Sequence, residues 1–160
     1  MKSAISILCL GVLTAVAGCG FHLRGQYTVP EAMAITFVEG DPRSQIVIGL
    51  KRNLRSSEAQ IVAGKEEATA VIKIFDERTG RRVVSVGSDG AVTEYEVYYT
   101  VSFQLAYPDE DALPPQTLRL SRDYVFDSAG VLSSADEEQT LRSEMQRDLV
   151  RQIMQRLRST

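Results

Sequence analysis

The feature that most constrains the fold is an unbroken alternation of apolar and polar residues from Tyr95 to Tyr107. Alternation with a period of two predicts a β-strand with one buried face. A strand of about 15 residues is far longer than the usual 5 or 6. Its other face must therefore meet water or a partner along its whole length, and that face carries Glu94, Glu96, Thr100, Ser102 and Gln104.

Shorter alternating segments predict four further strands, at about 33–38, 69–76, 81–87 and 116–126. In the first of them, Met33, Ile35 and Phe37 are expected to point inward.

Turn residues separate these predicted strands. Arg78-Thr79-Gly80 is expected to be a turn, and so is Ser88-Asp89-Gly90, because Asp-Gly is a favoured hairpin pair. The acidic, proline-rich segment 108–115 is expected to be a loop.

Two segments have the periodicity of amphipathic helices. The first is expected to begin with Asp41 as N-cap and Pro42 in the first position, and to end near Ser57. The second covers about 135–158, with Ser134 and Glu137 as a capping box. Two helices and one sheet with an apolar face predict an α+β fold: a two-layer sandwich in which the helices pack on one mixed or antiparallel sheet of about four to five strands.

The N-terminus predicts a lipid anchor. Residues 4–17 are apolar and uncharged, too short to span a bilayer, which takes about 20 residues, but typical of a secretory signal. The following Val16-Ala17-Gly18-Cys19 resembles a bacterial lipoprotein box, in which Cys19 would be lipidated. Residue 20 is not aspartate, which favours the outer membrane. We expect a signal peptide over 1–18, a lipidated tether over 19–30 and a single domain over 31–160.

The composition excludes several functional classes. With 18 Lys and Arg against 21 Asp and Glu, the net charge is −3, whereas nucleic-acid binders usually carry a basic excess. The chain has one histidine and two cysteines, and Cys9 would leave with the signal peptide. These counts provide neither a zinc site nor a disulfide framework.

No pattern in the chain is typical of catalysis. His22 lies on the tether, where no walled cleft can hold a general base. Glu94 and Glu96 lie about 7 Å apart on one strand face by strand rise, and paired carboxylates can hydrolyse glycosides, but a solvated face is the commoner reason for such a pair. The run 109–111 lacks the ligand spacing of a calcium loop. We expect a binding function without enzymatic activity, cofactor or metal.

Four motifs in order resemble the LptE family of lipopolysaccharide-assembly lipoproteins, and together they span most of residues 19–158. They are Cys19-Gly20-Phe21-His22-Leu23-Arg24-Gly25, Gly90-Ala91-Val92-Thr93-Glu94-Tyr95-Glu96, Arg122-Asp123-Tyr124-Val125-Phe126-Asp127, and the segment from Glu137 to Leu157.

The resemblance implies a lipoprotein of the outer membrane that faces the periplasm, assists the assembly of the large β-barrel LptD and lodges in its lumen as a plug. The pair would place lipopolysaccharide in the outer leaflet. Because lumen walls of such barrels are polar, the polar strand faces are expected to meet the barrel. The expected interface residues are Ser88, Asp89, Gly90, Glu94, Glu96, Arg119 and Asp123.

One departure from the family bears on lipopolysaccharide itself. Family members can carry basic residues, tied to lipid A phosphates, in the turn before the long strand and just before the last helix. Here those places read Ser88-Asp89-Gly90 and Ser133-Ser134-Ala135-Asp136. Charge-assisted hydrogen bonds to phosphate need arginine or lysine, so any direct contact is expected to fall to Arg81, Arg82 or Arg122.

The alternative function is that of an auxiliary lipoprotein in another envelope transport system, of the ABC type, with a similar α+β build. Co-purification distinguishes the two functions. A lipoprotein of the LptE family should bring a single large barrel, whereas an auxiliary lipoprotein should bring a transporter or its periplasmic components.

Overall fold

The computed structural model of the chain describes residues 29–108, 110–127 and 130–160, so Cys19, the signal peptide and nearly all of the tether lie outside the described residues. The strands are β1 (Ile35–Glu39), β2 (Gln60–Ile61), β3 (Ala70–Val86), β4 (Val92–Tyr107) and β5 (Glu110–Val125). The helices are α1 (Gln45–Ser56) and α2 (Val131–Leu157), and short 3-10 turns lie at Glu31–Met33 and Lys65–Glu67.

The strands form one sheet in the order β2-β1-β3-β4-β5. β1 pairs in parallel with both β2 and β3, and α1 lies in the chain between β1 and β2. β3, β4 and β5 form a long antiparallel meander. The sheet is therefore mixed and five-stranded, which confirms the predicted α+β fold class.

Both helices cover the same side of the sheet, here called the helix face. The predicted alternation of β4 is confirmed, because Val97, Tyr99, Val101, Phe103 and Leu105 are all buried in one core. α1 contributes Ile46, Leu50 and Leu54 to that core, and α2 contributes Met145, Leu149, Ile153 and Leu157. The opposite side, here called the open face, has no described helix on it. The polar residues of β4 point there.

The first strand faces the opposite way from the prediction. Thr36 and Val38 are the buried residues of β1, while Ile35 and Phe37 are only partly buried. Met33 is buried as predicted, but it lies in the 3-10 turn, so its inward position does not set the alternation of the strand. Thr36 is tolerated in the core because its hydroxyl donates to the Met33 carbonyl at 2.6 Å.

The predicted turn at Arg78-Thr79-Gly80 is wrong, because β3 continues through it. The register against β4 shifts by one residue between Phe75 and Arg78, which is a β-bulge. Asp76 takes a φ of 52° there, a conformation that Asp tolerates better than most residues. Gly80 serves close packing and not a turn, since a Cβ at this position would lie 2.5 Å from the Tyr98 hydroxyl.

Two other predicted boundaries are corrected. Ser44 and not Asp41 caps α1, with its hydroxyl oxygen accepting from the amides of Ile46 and Val47. The segment 108–115 is mostly strand, because β5 begins at Glu110. Its prolines are tolerated on an edge strand.

The capping box at Ser134 is also wrong. α2 begins four residues earlier than expected, at Val131, with Gly130 before it. Ser134 is buried inside the first turns, and its hydroxyl accepts from the Asp127 amide at 3.3 Å. Ser134 therefore ties the helix to the end of β5.

The two helices touch where Gly49 of α1 meets Val150 of α2. A Cβ at position 49 would lie 2.9 Å from a methyl of Val150. Val150 is buried, and its β-branched side chain has little rotamer freedom in a helix. Glycine therefore sets the close approach of the helices.

We predict that Gly49→Ala destabilises the protein by about 1–3 kcal/mol in chemical denaturation, because overpacking outweighs the roughly 1 kcal/mol gain in helix propensity. In a Val150→Ala background, which removes the clashing methyls, the same substitution should cost nothing or stabilise. Stabilisation by Gly49→Ala in the wild-type background would contradict this account.

Candidate partner interface

The open face carries a mostly polar surface on β3, β4 and β5, with Phe75 opposite Ser102 and Val125 opposite Glu94 as apolar exceptions. Side chains directly opposite one another in an antiparallel pair share a face. The register places Glu94, Glu96, Tyr98, Thr100, Ser102 and Gln104 of β4 beside Arg78 and Arg82 of β3 and beside Arg119, Ser121 and Asp123 of β5. The two polar strand faces that the sequence offered as alternatives are therefore one surface.

Its predicted acidic residues lie close together at one end. Glu96 lies between Arg82 on β3 and Asp123 on β5. The guanidinium of Arg82 is 2.8 Å from Oε1 of Glu96 and donates to Oε2 at 3.0 Å. Only 14% of the Glu96 side chain is exposed, and its Oε1 accepts no hydrogen bond from the described residues. Glu96 is thus a largely enclosed carboxylate paired with Arg82, and not a fully solvated one.

The centre of the open face is better satisfied. Tyr98 lies over Gly80, and the Arg119 guanidinium stands 5.8 Å from the centroid of its ring. The hydroxyls of Ser102 and Thr117 share a hydrogen bond of 2.9 Å. Glu94, next to Glu96 at the hairpin end, accepts from the Ser85 hydroxyl at 2.6 Å. This pairing holds the side chains in a fixed pattern of charges and hydroxyls.

The predicted turn at Ser88-Asp89-Gly90 is confirmed as the tip of the β3–β4 hairpin. The Gly87 amide donates to the Ala91 carbonyl at 2.7 Å, and Gly90 has a φ of 80°, which glycine adopts without strain. All three residues are exposed. The tip extends beyond the helices at the end of the sheet away from the N-terminus.

The three arginines predicted to bind phosphate do not form one cluster. Arg82 is on the open face, whereas Arg81 and Arg122 flank Val97 on the helix face. Each contacts a carboxylate: Arg81 contacts Glu138 at 2.9 Å, Arg82 contacts Glu96, and Arg122 contacts Asp148 at 3.4 Å.

Glu138 is the centre of a polar network on the helix face, beyond the apolar core. It accepts from Arg142 at 2.7 Å, from the Tyr124 hydroxyl at 2.8 Å and from Arg81 at 2.9 Å. Arg81 also lies over the ring of Tyr95, 4.6 Å from its centroid. Burial alone would raise the pKa of Glu138, but the hydrogen bonds from Arg142, Tyr124 and Arg81 outweigh it and lower that pKa.

A second carboxylate, Glu77, joins α1 to β3 and β4. The bulge turns Glu77 toward the helix face, where it accepts from the Ser44 hydroxyl at 2.6 Å and from the hydroxyl of Tyr99. Burial, and then this bond to Glu77, raise the pKa of Tyr99 above its ordinary value. Tyr99 therefore stays a neutral donor. This contact could not be predicted from the sequence, because the bulge that positions Glu77 resembles a turn.

Sequence reasoning also missed an exposed apolar group at the hairpin end of the sheet, here called the apolar end. It consists of the last residues of β3 and β5 and the first residues of α2: Val83, Val84, Val86, Val125, Val131 and Leu132. Val125 is 67% exposed and Leu132 is 84% exposed. Val83 pairs with Tyr95 of the helix face and Val125 pairs with Glu94 of the open face, so these residues belong to both faces of the sheet.

Within residues 29–108, 110–127 and 130–160, no group of three or more His, Cys, Asp or Glu residues could hold a metal ion. Of the helices in that part of the chain, none is long and apolar enough to cross a membrane. The fold and the uncovered polar sheet face together define a two-layer α+β binding domain.

Comparison with known proteins gives the family. Residues 31–157 match the family model LptE, described as lipopolysaccharide-assembly. The LPS-assembly lipoprotein LptE of Photorhabdus laumondii is 28% identical over 98% of this chain and 87% of its own length. That of Pectobacterium atrosepticum is 27% identical over 98% of this chain and 86% of its own length.

Solved structures agree with this result. An uncharacterised lipoprotein B from Nitrosomonas europaea has a TM-score of 0.74 at 29% identity, covering 88% of this chain and 91% of that one. The rare lipoprotein B from Shewanella oneidensis has a TM-score of 0.69 at 25% identity, covering 78% of this chain and 93% of that one. The chain belongs to the LptE family, which confirms the sequence resemblance and gives it a role in lipopolysaccharide assembly.

We predict that Glu138→Gln lowers the free energy of unfolding by about 1–3 kcal/mol at pH 7, because it removes a buried charged acceptor. The folded pKa of Glu138 lies below its ordinary value of 4.5. Its contribution is therefore full above about pH 4.5 and is lost as the pH falls through the lowered folded value. The difference between wild type and variant should shrink in that acidic range.

The matched control for this measurement is Glu137→Gln, which removes an exposed neighbouring charge and should change stability by less than about 0.5 kcal/mol. Equal effects of the two variants in urea unfolding curves would contradict the assigned role of Glu138.

Proposed function

We propose that the chain is an outer-membrane lipoprotein, anchored through Cys19, that assists assembly of the LptD barrel and plugs its lumen, so that the pair delivers lipopolysaccharide to the outer leaflet. The observation that carries this proposal is the uncovered polar face of the sheet. A long polar sheet face that no second layer covers suits contact with the polar lumen wall of a barrel better than contact with an apolar surface.

The arrangement of the two ends of the domain also supports a plug. The described chain begins beside β1, whose Thr36 pairs with Ala70 at the start of β3, and the hairpin tip lies at the other end of that strand. Seventeen residues of strand extend about 55 Å, which exceeds the roughly 30 Å of a bilayer core. A domain tethered at the periplasmic surface would therefore bring the tip and the apolar end to the level of the outer leaflet.

Direct contact with lipopolysaccharide through Arg81, Arg82 or Arg122 stays a prediction. A phosphate group would have to displace Glu138, Glu96 or Asp148 from the chosen arginine. Arg82 is the most accessible of the three, with 59% of its side chain exposed and a place on the open face beside the predicted interface residues.

The alternative is an auxiliary lipoprotein of an ABC-type transport system. Affinity purification of the tagged, acylated chain from outer membranes in mild detergent distinguishes this alternative from the plug. One large barrel in near-equal amount that survives high salt supports the plug. Recovery alone, or with inner-membrane transporter components, supports the alternative.

We predict that a photocrosslinking residue at Thr100 or Arg119, both on the open face, gives a covalent adduct with the barrel on irradiation. Gln155, exposed on α2, provides the comparison site on the opposite layer. Adducts at Gln155 with none at Thr100 or Arg119, seen by immunoblot and mass spectrometry, would reject the open face as the barrel contact.

We predict that Cys19→Ser abolishes acylation, because the thiol is the lipid acceptor in a lipoprotein box. Mass spectrometry should then show a chain without acyl groups, and less of it in the membrane fraction. Cys9→Ser is the matched control, since residue 9 lies within the predicted signal peptide and its loss should leave the acylated mass unchanged. Normal acylation of the Cys19→Ser variant would contradict the assignment.

A further inference from the structure

A groove of about 430 Å³ lies between α1 and α2, around the point where Gly49 meets Val150. Arg52 of α1 and Arg147 and Arg151 of α2 line it, and no carboxylate does. The close approach that glycine permits brings the two helices together, so that arginines from both line one concavity. Rigid helices hold the groove on both sides.

The charge in this groove is not balanced from within the described chain. The side chains of Arg52 and Arg147 make no hydrogen bond or ion pair with any of the described residues, whereas the side chain of Arg151 contacts Asp148. Arg147 and Arg151 are four residues apart on one helix, a spacing at which like charges repel. The whole protein carries a net charge of −3. A concentration of cations in an acidic protein, at a cost in helix stability, points to an anionic ligand.

Neutral polar groups complete the groove. The Asn53 amide nitrogen donates to the Gly49 carbonyl at 2.8 Å, and the Ser143 hydroxyl donates to the Gln139 carbonyl at 2.9 Å. Each side chain thus keeps an oxygen that can accept a further hydrogen bond. Such acceptors suit sugar hydroxyls, and arginine forks suit phosphate oxygens.

We propose that the groove between α1 and α2 binds a phosphorylated saccharide, with Arg52 and Arg147 on the phosphate and Asn53 and Ser143 on sugar hydroxyls. The volume is that of a small-molecule site, and it does not match the extended stripe that an acidic peptide would need. The inference deepens the proposed function, on which it rests for its physiological ligand: the phosphosugar part of lipopolysaccharide. The site is separate from Arg81, Arg82 and Arg122.

The test titrates the full chain, in detergent, with a phosphorylated hexosamine disaccharide that has no acyl chains, and follows binding by calorimetry. Arg52→Gln and Arg147→Gln should each weaken binding about tenfold or more, because each removes a charge-assisted pair. Arg55→Gln is the matched control: it removes one exposed charge from the same helix outside the groove and should leave the Kd within about twofold.

Three further ligands identify what is bound. The unphosphorylated disaccharide should bind at least tenfold more weakly, and inorganic phosphate should also bind more weakly, because it lacks the hydroxyls. Lipopolysaccharide in mixed micelles should lose affinity in the same two variants if its headgroup is the source of the phosphosugar. Equal binding of inorganic phosphate, or no effect of the arginine variants, would overturn the proposal.

Failure of this inference can be told from failure of the proposed function. The barrel capture experiment is run with Arg52→Gln/Arg147→Gln beside the wild type. Recovery of the barrel by a wild-type chain that binds no phosphosugar would overturn the groove assignment alone. A wild-type chain that binds the phosphosugar but recovers no barrel would support the groove and contradict the plug.

Discussion

The long apolar stripe of β4 must be covered, and the described part of the chain has two α-helices with which to do so. Both lie on one side, so the sheet has a buried face and an uncovered face along its length. α2 runs about 40 Å at the rise of a helix, whereas β3 runs about 55 Å at that of a strand. The strands therefore extend past their cover at the hairpin end. The polar open face follows from the position of both helices on one side, and the apolar end follows from the difference in length between strands and helix.

Two half-buried carboxylates hold the helix layer to the sheet. Glu138 binds α2 to β3 and β5 through Arg81 and Tyr124, and Glu77 binds β3 to the cap of α1 and to Tyr99. Such groups are favourable only with all their partners, because a buried charge left alone is costly. The helix layer is thus fixed in position over the extended strands by directional bonds, and apolar burial does not have to reach the hairpin end.

The sequence was most informative where burial is periodic. The alternation of β4 predicted its buried face, its open face and the α+β class. Prediction from the sequence was wrong at Arg78-Thr79-Gly80, because the bulge at Asp76 and the glycine packed under Tyr98 resemble a turn. It was also wrong at 108–115, because an edge strand tolerates the prolines that indicate a loop. The polar surface could be predicted from one strand. The carboxylate partners of Arg81 and Arg122 could not, since Glu138 and Asp148 come from a helix far along the chain.

The open face, the groove between the helices and the apolar end lie on different parts of the domain, so a ligand on one of them need not block the others. The open face lies on one side of the sheet, the groove between α1 and α2 belongs to the layer on the other, and the apolar end lies at the tip of both. A wall bound to the open face would leave Arg52 and Arg147 uncovered by that contact. If the open face does meet a barrel wall and the groove does bind phosphate, the two contacts could be altered independently, since residues more than about 10 Å apart without shared partners contribute additively. Arg81, Arg82 and Arg122 are paired to carboxylates, whereas Arg52 and Arg147 of the helix layer have no carboxylate partner among the described residues, so a phosphate could bind in the groove without displacing a carboxylate.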